Sequence, residues 1–170
     1  FQRNNHVPLD ATYVRTAAIR KKVLHKTIWD LRTLLRQEYT AVILRENQVV
    51  GYVTAEKADQ LELMVDGLTD VGERNAYLNE VNVRPDYRGQ GLCRPLVSFM
   101  VKQLSNKGFT TLFIDNASKT NQGIPACYCY YRAGVDNGFT VLISKDGVLR
   151  PMTANDCDGG GNATYYFTTT

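Results

Sequence analysis

The sequence lacks any long apolar run. No stretch of about 18 consecutive apolar residues occurs in its 170 residues, which argues against a membrane-spanning helix, and we expect no membrane partner. The N-terminal residues 1–6 lack the pattern of a signal peptide. An initiator methionine is also missing, so we expect a processed or trimmed chain.

The cysteines lack the spacing of a metal site. Cys93, Cys127, Cys129 and Cys157 do not form the paired C-x-x-C pattern that is typical of structural zinc, and we predict no metal. We expect an intracellular, cytoplasmic protein in which these thiols are reduced.

A strong net charge is also absent. The formal value of +3 is too small to indicate a nucleic-acid partner. Six acidic residues against one lysine nevertheless fall within residues 56–73. Our hypothesis is that this segment borders a site for a cationic substrate, while a solvated acidic loop is the alternative.

Length and hydrophobic periodicity predict one α/β domain over residues 1–170. A weak strand in residues 1–8 precedes helices over about 10–25 and 27–35, and residues 57–75 fit either a hairpin extension or a loop. We predict a hairpin of strands 39–46 and 49–56, strand 76–84, helix 92–107, strand 110–115, helix 121–133, and a strand pair 138–144 and 163–168. Residues 145–162 are predicted to be mobile, because they carry three consecutive glycines.

The turn over residues 84–94 links a predicted strand to a predicted helix. The first N–H groups of a helix have no intrahelical partner and carry the positive end of its dipole, so they attract anions. Gly89 and Gly91 allow a ligand to approach the main chain closely, and Arg88 and Arg94 add donors and charge. The turn therefore predicts a phosphate site, the alternative being a tight turn with incidental arginines.

Two common phosphate-binding motifs are missing from this turn. A P-loop would need Gly-Lys-Ser/Thr, and no such lysine is present. A dinucleotide-binding fingerprint would need a third glycine where Arg94 stands.

The run Arg88-x-x-Gly91, behind a hydrophobic strand that ends V-x-P, resembles the pyrophosphate-binding motif of the GNAT family of N-acetyltransferases. The resemblance implies that acetyl-CoA binds here. It assigns the cradle of its pyrophosphate to Arg88, Gly89, Gln90, Gly91, Leu92 and Cys93. Cys93 stands where the family has glycine or alanine.

The order of predicted elements is also similar to that family. The resemblance implies a mixed, mostly antiparallel central sheet flanked by helices. It further implies that strands 76–84 and 110–115 splay apart, so that backbone groups near Val81 and Val83 contact the cofactor.

The second half of the chain carries further family-like residues: Asn121, Ala126, Tyr130 and Gly138-Phe139. The resemblance implies that Asn121 contacts the pantetheine arm, although it also fits a helix N-cap. Tyr130 would protonate the departing thiolate. Tyr128 and Tyr131 compete for that role, and all three also fit as packing aromatics.

Glu80 is the candidate general base. The run Tyr77-Leu78-Asn79-Glu80 resembles the Y-L-E-D of polyamine acetyltransferases, with Asn79 at the usual glutamate position and Glu80 one place later. A shift of one residue along a strand changes the face, so a solvent-facing Glu80 is the alternative. Covalent catalysis by Cys127 is disfavoured, because its apolar setting fits buried packing.

These observations predict an enzyme, an acyltransferase that moves acetyl from acetyl-CoA directly to a primary amine. The acceptor would be a polyamine, a lysine side chain or another small, cationic amine, and the protein a monomer or homodimer. The alternative is a non-catalytic sensor or interaction module that binds acyl-CoA on the same fold.

Overall fold

The structure, a computed structural model, describes residues 12–16, 38–46, 48–58, 74–116, 123–145, 147–158 and 162–169. Within these residues the strands form one sheet, in the order β1-β2-β3-β4-β5-β8-β6-β7. The strands are β1 (Thr12–Thr16), β2 (Tyr39–Arg45), β3 (Gln48–Lys57), β4 (Asn75–Val83), β5 (Thr111–Asn116), β6 (Thr140–Lys145), β7 (Val148–Pro151) and β8 (Ala163–Thr168). The helices are α1 (Cys93–Asn106) and α2 (Gly123–Asp136), with short 3₁₀ turns η1 (Pro85–Tyr87) and η2 (Ala154–Cys157).

The sheet is antiparallel except at one pair. Strands β4 and β5 run parallel, and all other described neighbours run antiparallel. The parallel pair is joined through α1, since a crossover connection is needed to bring a parallel strand alongside. The predicted mostly antiparallel, mixed sheet is therefore confirmed.

Helix α1 packs its apolar stripe on the sheet. Leu96, Val97, Met100, Val101 and Leu104 are buried, and they join one core cluster with residues of β2, β3 and β4. The helix ends where predicted, at a glycine with positive φ (Gly108, +90°). Helix α2 contributes Cys127, Tyr130 and Ala133 to the same cluster, so both described helices cover one face of the sheet.

The predicted helix over residues 10–25 is wrong where the structure describes it. Residues 12–16 form β1, which pairs with β2 from Thr12↔Arg45 to Thr16↔Ala41. The segment T-Y-V-R-T is rich in β-branched and aromatic residues, which favour strands, and the edge of β2 offers hydrogen-bond partners that a helical pattern does not reveal. The predicted strand 1–8 and helix 27–35 lie outside the described residues.

The predicted mobile segment is wrong over residues 147–158. Strand β7 pairs with β6, from Leu142↔Pro151 to Lys145↔Val148. Turn η2 follows with a capping box, in which Thr153 and Asp156 satisfy each other's backbone donors. Strand β7 forms because it pairs with β6, and η2 is held by contacts with residues outside it. The glycines and prolines of the segment give no information about such contacts.

The expectation of reduced thiols is also wrong. Cys93 is bonded to Cys129, and Cys127 to Cys157, so every cysteine of the chain lies in a disulfide. Both bonds tether α2, one to the first turn of α1 and the other to η2. Disulfides persist in oxidising surroundings, and they weigh against the cytoplasmic location that we predicted. None of the described helices is long and apolar enough to cross a membrane.

Candidate functional site

The sheet opens between β4 and β5. Their parallel pairing runs from Asn75↔Thr111 to Leu78↔Ile114 and then ends. Strand β4 continues to Val83 beside β3, while β5 continues beside β8. The opening coincides with a β-bulge, because Asn79 is an extra residue of β4 relative to β3. The predicted splayed strand pair is thus present.

Backbone donors of β4 point into this opening. The Arg84 N–H donates to the Val50 carbonyl of β3, at 2.8 Å. Donors alternate sides along a strand, so the N–H groups of Val83 and Val81 point away from β3, towards the gap that β5 has left. Both residues line a cleft of about 670 Å³ at this position. They can therefore offer main-chain hydrogen bonds to an extended ligand.

The turn after β4 has the conformation that its glycines allow. Gly89 and Gly91 have φ of +77° and +74°, a region that side chains disfavour. A Cβ at either position would meet nothing within 4 Å, so the glycines also leave open space beside the backbone. Within the described residues no side chain caps α1, and its first turn carries no acidic residue. The positive end of the helix is consequently open to an anion.

Arg88 is anchored at the edge of this turn. Its Nε donates to the Val83 carbonyl at 3.0 Å, which leaves its two terminal nitrogens for a ligand. The Gln90 side chain accepts a hydrogen bond from Arg45 and does not line the cleft. Any contact of Gln90 with a ligand would therefore come from its main chain.

The structure brings most of the predicted cofactor residues together. Those that line the cleft are Val81, Val83, Arg88, Gly89, Gly91, Leu92 and Cys93. Asn121 lies outside the described residues, as does most of the acidic segment 56–73. The cleft also contains residues that we had not singled out, among them Asn82, Tyr87, Pro125, Cys129 and Arg132. No local motif marks Pro125, Cys129 and Arg132, because they reach the site through the packing of α2 against α1.

Two links hold the walls of the cleft together. The Cys93–Cys129 disulfide joins the first turn of α1 to α2. Arg94 and Asp136 form a two-pronged ion pair, with Nε–Oδ2 and Nη2–Oδ1 distances of 2.8 Å. This pair raises the pKa of Arg94 and lowers that of Asp136. We expected Arg94 to add charge for a phosphate, but its Nε and Nη2 donate to Asp136 instead.

Tyr130 lines the cleft from α2 and is 7% exposed. Burial raises its pKa, followed by the effect of Tyr165, whose ring centre lies 5.7 Å away. The hydroxyl therefore keeps its proton at neutral pH. Tyr128 also lines the cleft, but its hydroxyl donates to the Asp158 carboxylate, which raises its pKa. Tyr131 is not in the lining. Of the three tyrosines, Tyr130 is the one that lines the cleft without donating its hydroxyl to Asp158.

Glu80 lies beside the cleft and not in its wall. Val81 and Val83 pack on the core cluster with α1, so the alternating Glu80 and Asn82 project on the other face of the sheet. There the Glu80 carboxylate accepts a hydrogen bond of 2.6 Å from the Tyr52 hydroxyl, and Asn82 Nδ2 lies 3.5 Å from the same hydroxyl. Burial and the bond to Glu80 raise the pKa of Tyr52 to about 12.

Cys127 cannot act as a nucleophile while it is bonded to Cys157. In the described part of the chain, no three histidine, cysteine or acidic side chains lie together as a metal site would require. The groups that the described residues bring to this cleft are main-chain donors, an open helix end, arginines, a tyrosine and a neighbouring carboxylate.

The sequence profile of the acetyltransferase (GNAT) family matches residues 10–134. The chain belongs to this family. It is therefore an acyltransferase that uses acetyl-CoA as co-substrate, and the resemblance drawn from residues 88–93 is confirmed. Comparison with curated protein sequences gives no match.

Solved structures of GNAT enzymes share the fold at low identity. The ribosomal-protein-S18-alanine N-acetyltransferase of Escherichia coli is 15% identical, with a TM-score of 0.50 over 92% of each chain. The diaminobutyrate acetyltransferase of Paenibacillus lautus, solved with L-2,4-diaminobutyric acid and coenzyme A, is 9% identical, with a TM-score of 0.51 over 76% of this chain and 69% of that one. An N-acetyltransferase of Staphylococcus aureus is 14% identical, with a TM-score of 0.52 over 94% and 99%.

The residues present in this GNAT chain fit acetyl-CoA. An extended pantetheine arm needs main-chain partners, which the opening beside Val81 and Val83 supplies. A pyrophosphate needs N–H groups and positive charge near an unobstructed backbone. The turn with Gly89 and Gly91, Arg88 and the open end of α1 meet that need.

Proposed function

We propose that this GNAT enzyme transfers the acetyl group of acetyl-CoA directly to a small, cationic primary amine. The observation that carries the proposal is the arrangement around one cleft. Main-chain donors, an open helix end and a protonated tyrosine line it, and a carboxylate stands just beyond its wall.

The main chain and the turn would position the thioester. Val81 and Val83 would bind the pantetheine arm, and residues 88–93 would bind the pyrophosphate. Holding two reactants in a reactive orientation lowers a barrier by up to roughly 7–11 kcal/mol, the largest single contribution expected of this site.

Glu80 would serve as the base. An amine with a pKa of about 10.4 costs about 4.6 kcal/mol to present in its neutral form at pH 7. The Glu80 carboxylate is exposed, so it can attract the cationic amine and accept its proton, directly or through one water. The amine nitrogen then bonds to the thioester carbon as the carbon–sulfur bond breaks.

Tyr130 would serve as the acid. The departing thiolate would take the hydroxyl proton of Tyr130, which lines the cleft from α2. Asp156 and Asp158 have other partners. Arg150 Nη2 lies 2.6 Å from Asp156 Oδ1, and Asp158 accepts from Tyr128. Of the acidic groups that the structure describes near the cleft, Glu80 is the one best placed for the amine.

Calorimetry with acetyl-CoA tests the cofactor half of the proposal. The wild type should bind, and Arg88→Glu should bind at least tenfold more weakly, because a cation that serves the pyrophosphate becomes an anion. Lack of binding to the wild type would overturn the proposal.

CoA release against a panel of polyamines, lysine peptides and small amines tests the acceptor half. Turnover should be highest with a cationic amine and fall about a hundredfold in Glu80→Gln. Binding of acetyl-CoA without turnover on every amine would favour the alternative, a module that senses acyl-CoA.

A further inference from the structure

Arg132 differs from the other arginines of the cleft in its partners. Three arginines line the cleft, Arg88, Arg94 and Arg132. Arg88 donates its Nε–H to the Val83 carbonyl, and Arg94 donates from Nε and Nη2 to the Asp136 carboxylate. The hydrogen bonds from Arg94 lower the pKa of Asp136, and the charge of Arg132 also helps to lower it. The guanidinium of Arg132 lies 5.3 Å from the centre of the Tyr128 ring. An aromatic face holds a guanidinium in place while leaving its N–H donors free for an anion.

The position of Arg132 is set by the two links between the helices. Cys129, Arg132 and Asp136 follow one another on one face of α2, at the spacing of a helical stripe. Cys129 is bonded to Cys93, and Asp136 is paired with Arg94, both in the first turn of α1. Arg132 therefore lies between two tethers, in the lining of the cleft that also contains Gly89 and Gly91.

CoA carries more phosphate groups than the turn over residues 84–94 can bind. CoA carries a pyrophosphate and, on its adenosine ribose, a separate 3′-phosphate with roughly −1.5 to −2 charge at pH 7, as for other phosphate monoesters. The open end of α1, the glycine turn and Arg88 account for the pyrophosphate. Arg94 commits its Nε and Nη2 to Asp136, and Arg132 is the other cleft-lining arginine of the described residues that can face the remaining phosphate.

We propose that Arg132, held on the ring of Tyr128, binds the 3′-phosphate of the CoA adenosine and makes the enzyme distinguish CoA from 3′-dephospho-CoA. This assignment rests on the proposed function, since it requires CoA to occupy the cleft. It adds a residue on α2 to the cofactor site that the motif in residues 88–93 does not contain.

The test is calorimetry of CoA and of 3′-dephospho-CoA at one fixed, low ionic strength, because exposed charges are screened by salt. The wild type should bind CoA about tenfold more tightly than dephospho-CoA, as expected for one exposed, charge-assisted contact. In Arg132→Gln, CoA binding should weaken about tenfold, dephospho-CoA binding should stay within twofold, and the preference should vanish.

Lys102→Gln is the matched control. Lys102 is exposed on α1 outside the cleft lining, and its removal lowers the net charge by the same amount. It should leave both affinities and the preference unchanged. A preference that persists in Arg132→Gln, or an equal loss for both ligands, would overturn the assignment while leaving the proposed function intact. A wild type that binds neither ligand would overturn both.

Discussion

The two disulfides offer a test that separates stability from the geometry of the cofactor site. They close loops of similar length, with sequence separations of 36 for Cys93–Cys129 and 30 for Cys127–Cys157. The chain-entropy relation gives about 3.8 and about 3.6 kcal/mol for such loops at 25 °C. Replacing either pair by alanine should therefore cost nearly the same free energy of unfolding, and lower Tm by roughly 8–15 °C.

Their effects on the cofactor should differ. Cys93 is the first residue of α1, and Cys93 and Cys129 both line the cleft, whereas neither Cys127 nor Cys157 does. Without the first bond, the turn that aims the α1 N–H groups would be held to α2 mainly by the Arg94–Asp136 pair. A helix end contributes up to about 2 kcal/mol to an anion in a good geometry. We expect the loss of most of it, so acetyl-CoA should bind about tenfold more weakly to Cys93→Ala/Cys129→Ala.

Urea unfolding and calorimetry on the two double variants provide the measurement. Cys127→Ala/Cys157→Ala should lose the same stability and keep its acetyl-CoA affinity within twofold. Equal losses of affinity in both variants, at a temperature where both are folded, would show that the effect is general loosening. An unchanged affinity in Cys93→Ala/Cys129→Ala would refute the positioning role of that bond.

Three further changes test the site. Tyr130→Phe should lower kcat about a hundredfold and keep the affinity for acetyl-CoA within twofold, because one proton donor is lost. Tyr131 lies outside the cleft lining, so Tyr131→Phe is the control. A similar kcat in the two variants would contradict the assignment of Tyr130 as the acid. Gly91→Ala should cost about 1 kcal/mol of stability and also weaken acetyl-CoA binding, because φ at this position is positive and the glycine lies in the cleft lining. Gly138 has a similar φ of +77° but lies away from the cleft, so Gly138→Ala should cost only stability. Urea titration measures the stability of both variants, and calorimetry measures their affinity for acetyl-CoA. The unfolding free energy of the wild type should fall from pH 10 to 12, because Tyr52 loses its proton near pH 10 when unfolded and near 12 when folded. Urea titrations of Tyr52→Phe should show a smaller fall over the same pH range. An equal fall in the variant would refute Tyr52 as the source of the pH dependence.

Much of the fold could be predicted because its signals are local. The hairpin β2–β3, strand β4 with α1, and the β6–β8 pair follow from apolar periodicity over a few residues, bounded by glycine, asparagine or proline. The turn that we propose for the pyrophosphate belongs to this group, since one short run contains the strand end, both glycines and the helix start. The sequence-based predictions were wrong where the secondary structure depends on pairing with another segment, as for β1 on the edge of β2 and for β7 on β6.

By itself the sequence determined the family, the turn that we propose for the pyrophosphate and the order of most elements, because each depends on residues that are neighbours along the chain. Only the tertiary structure decided the pairing of the cysteines, the neutralisation of Arg94 by Asp136 and the partner of Glu80. It also decided the place of Arg132 in the cleft wall. These features join groups 28 to 42 residues apart, and no local pattern reports which distant side chain will complete a contact.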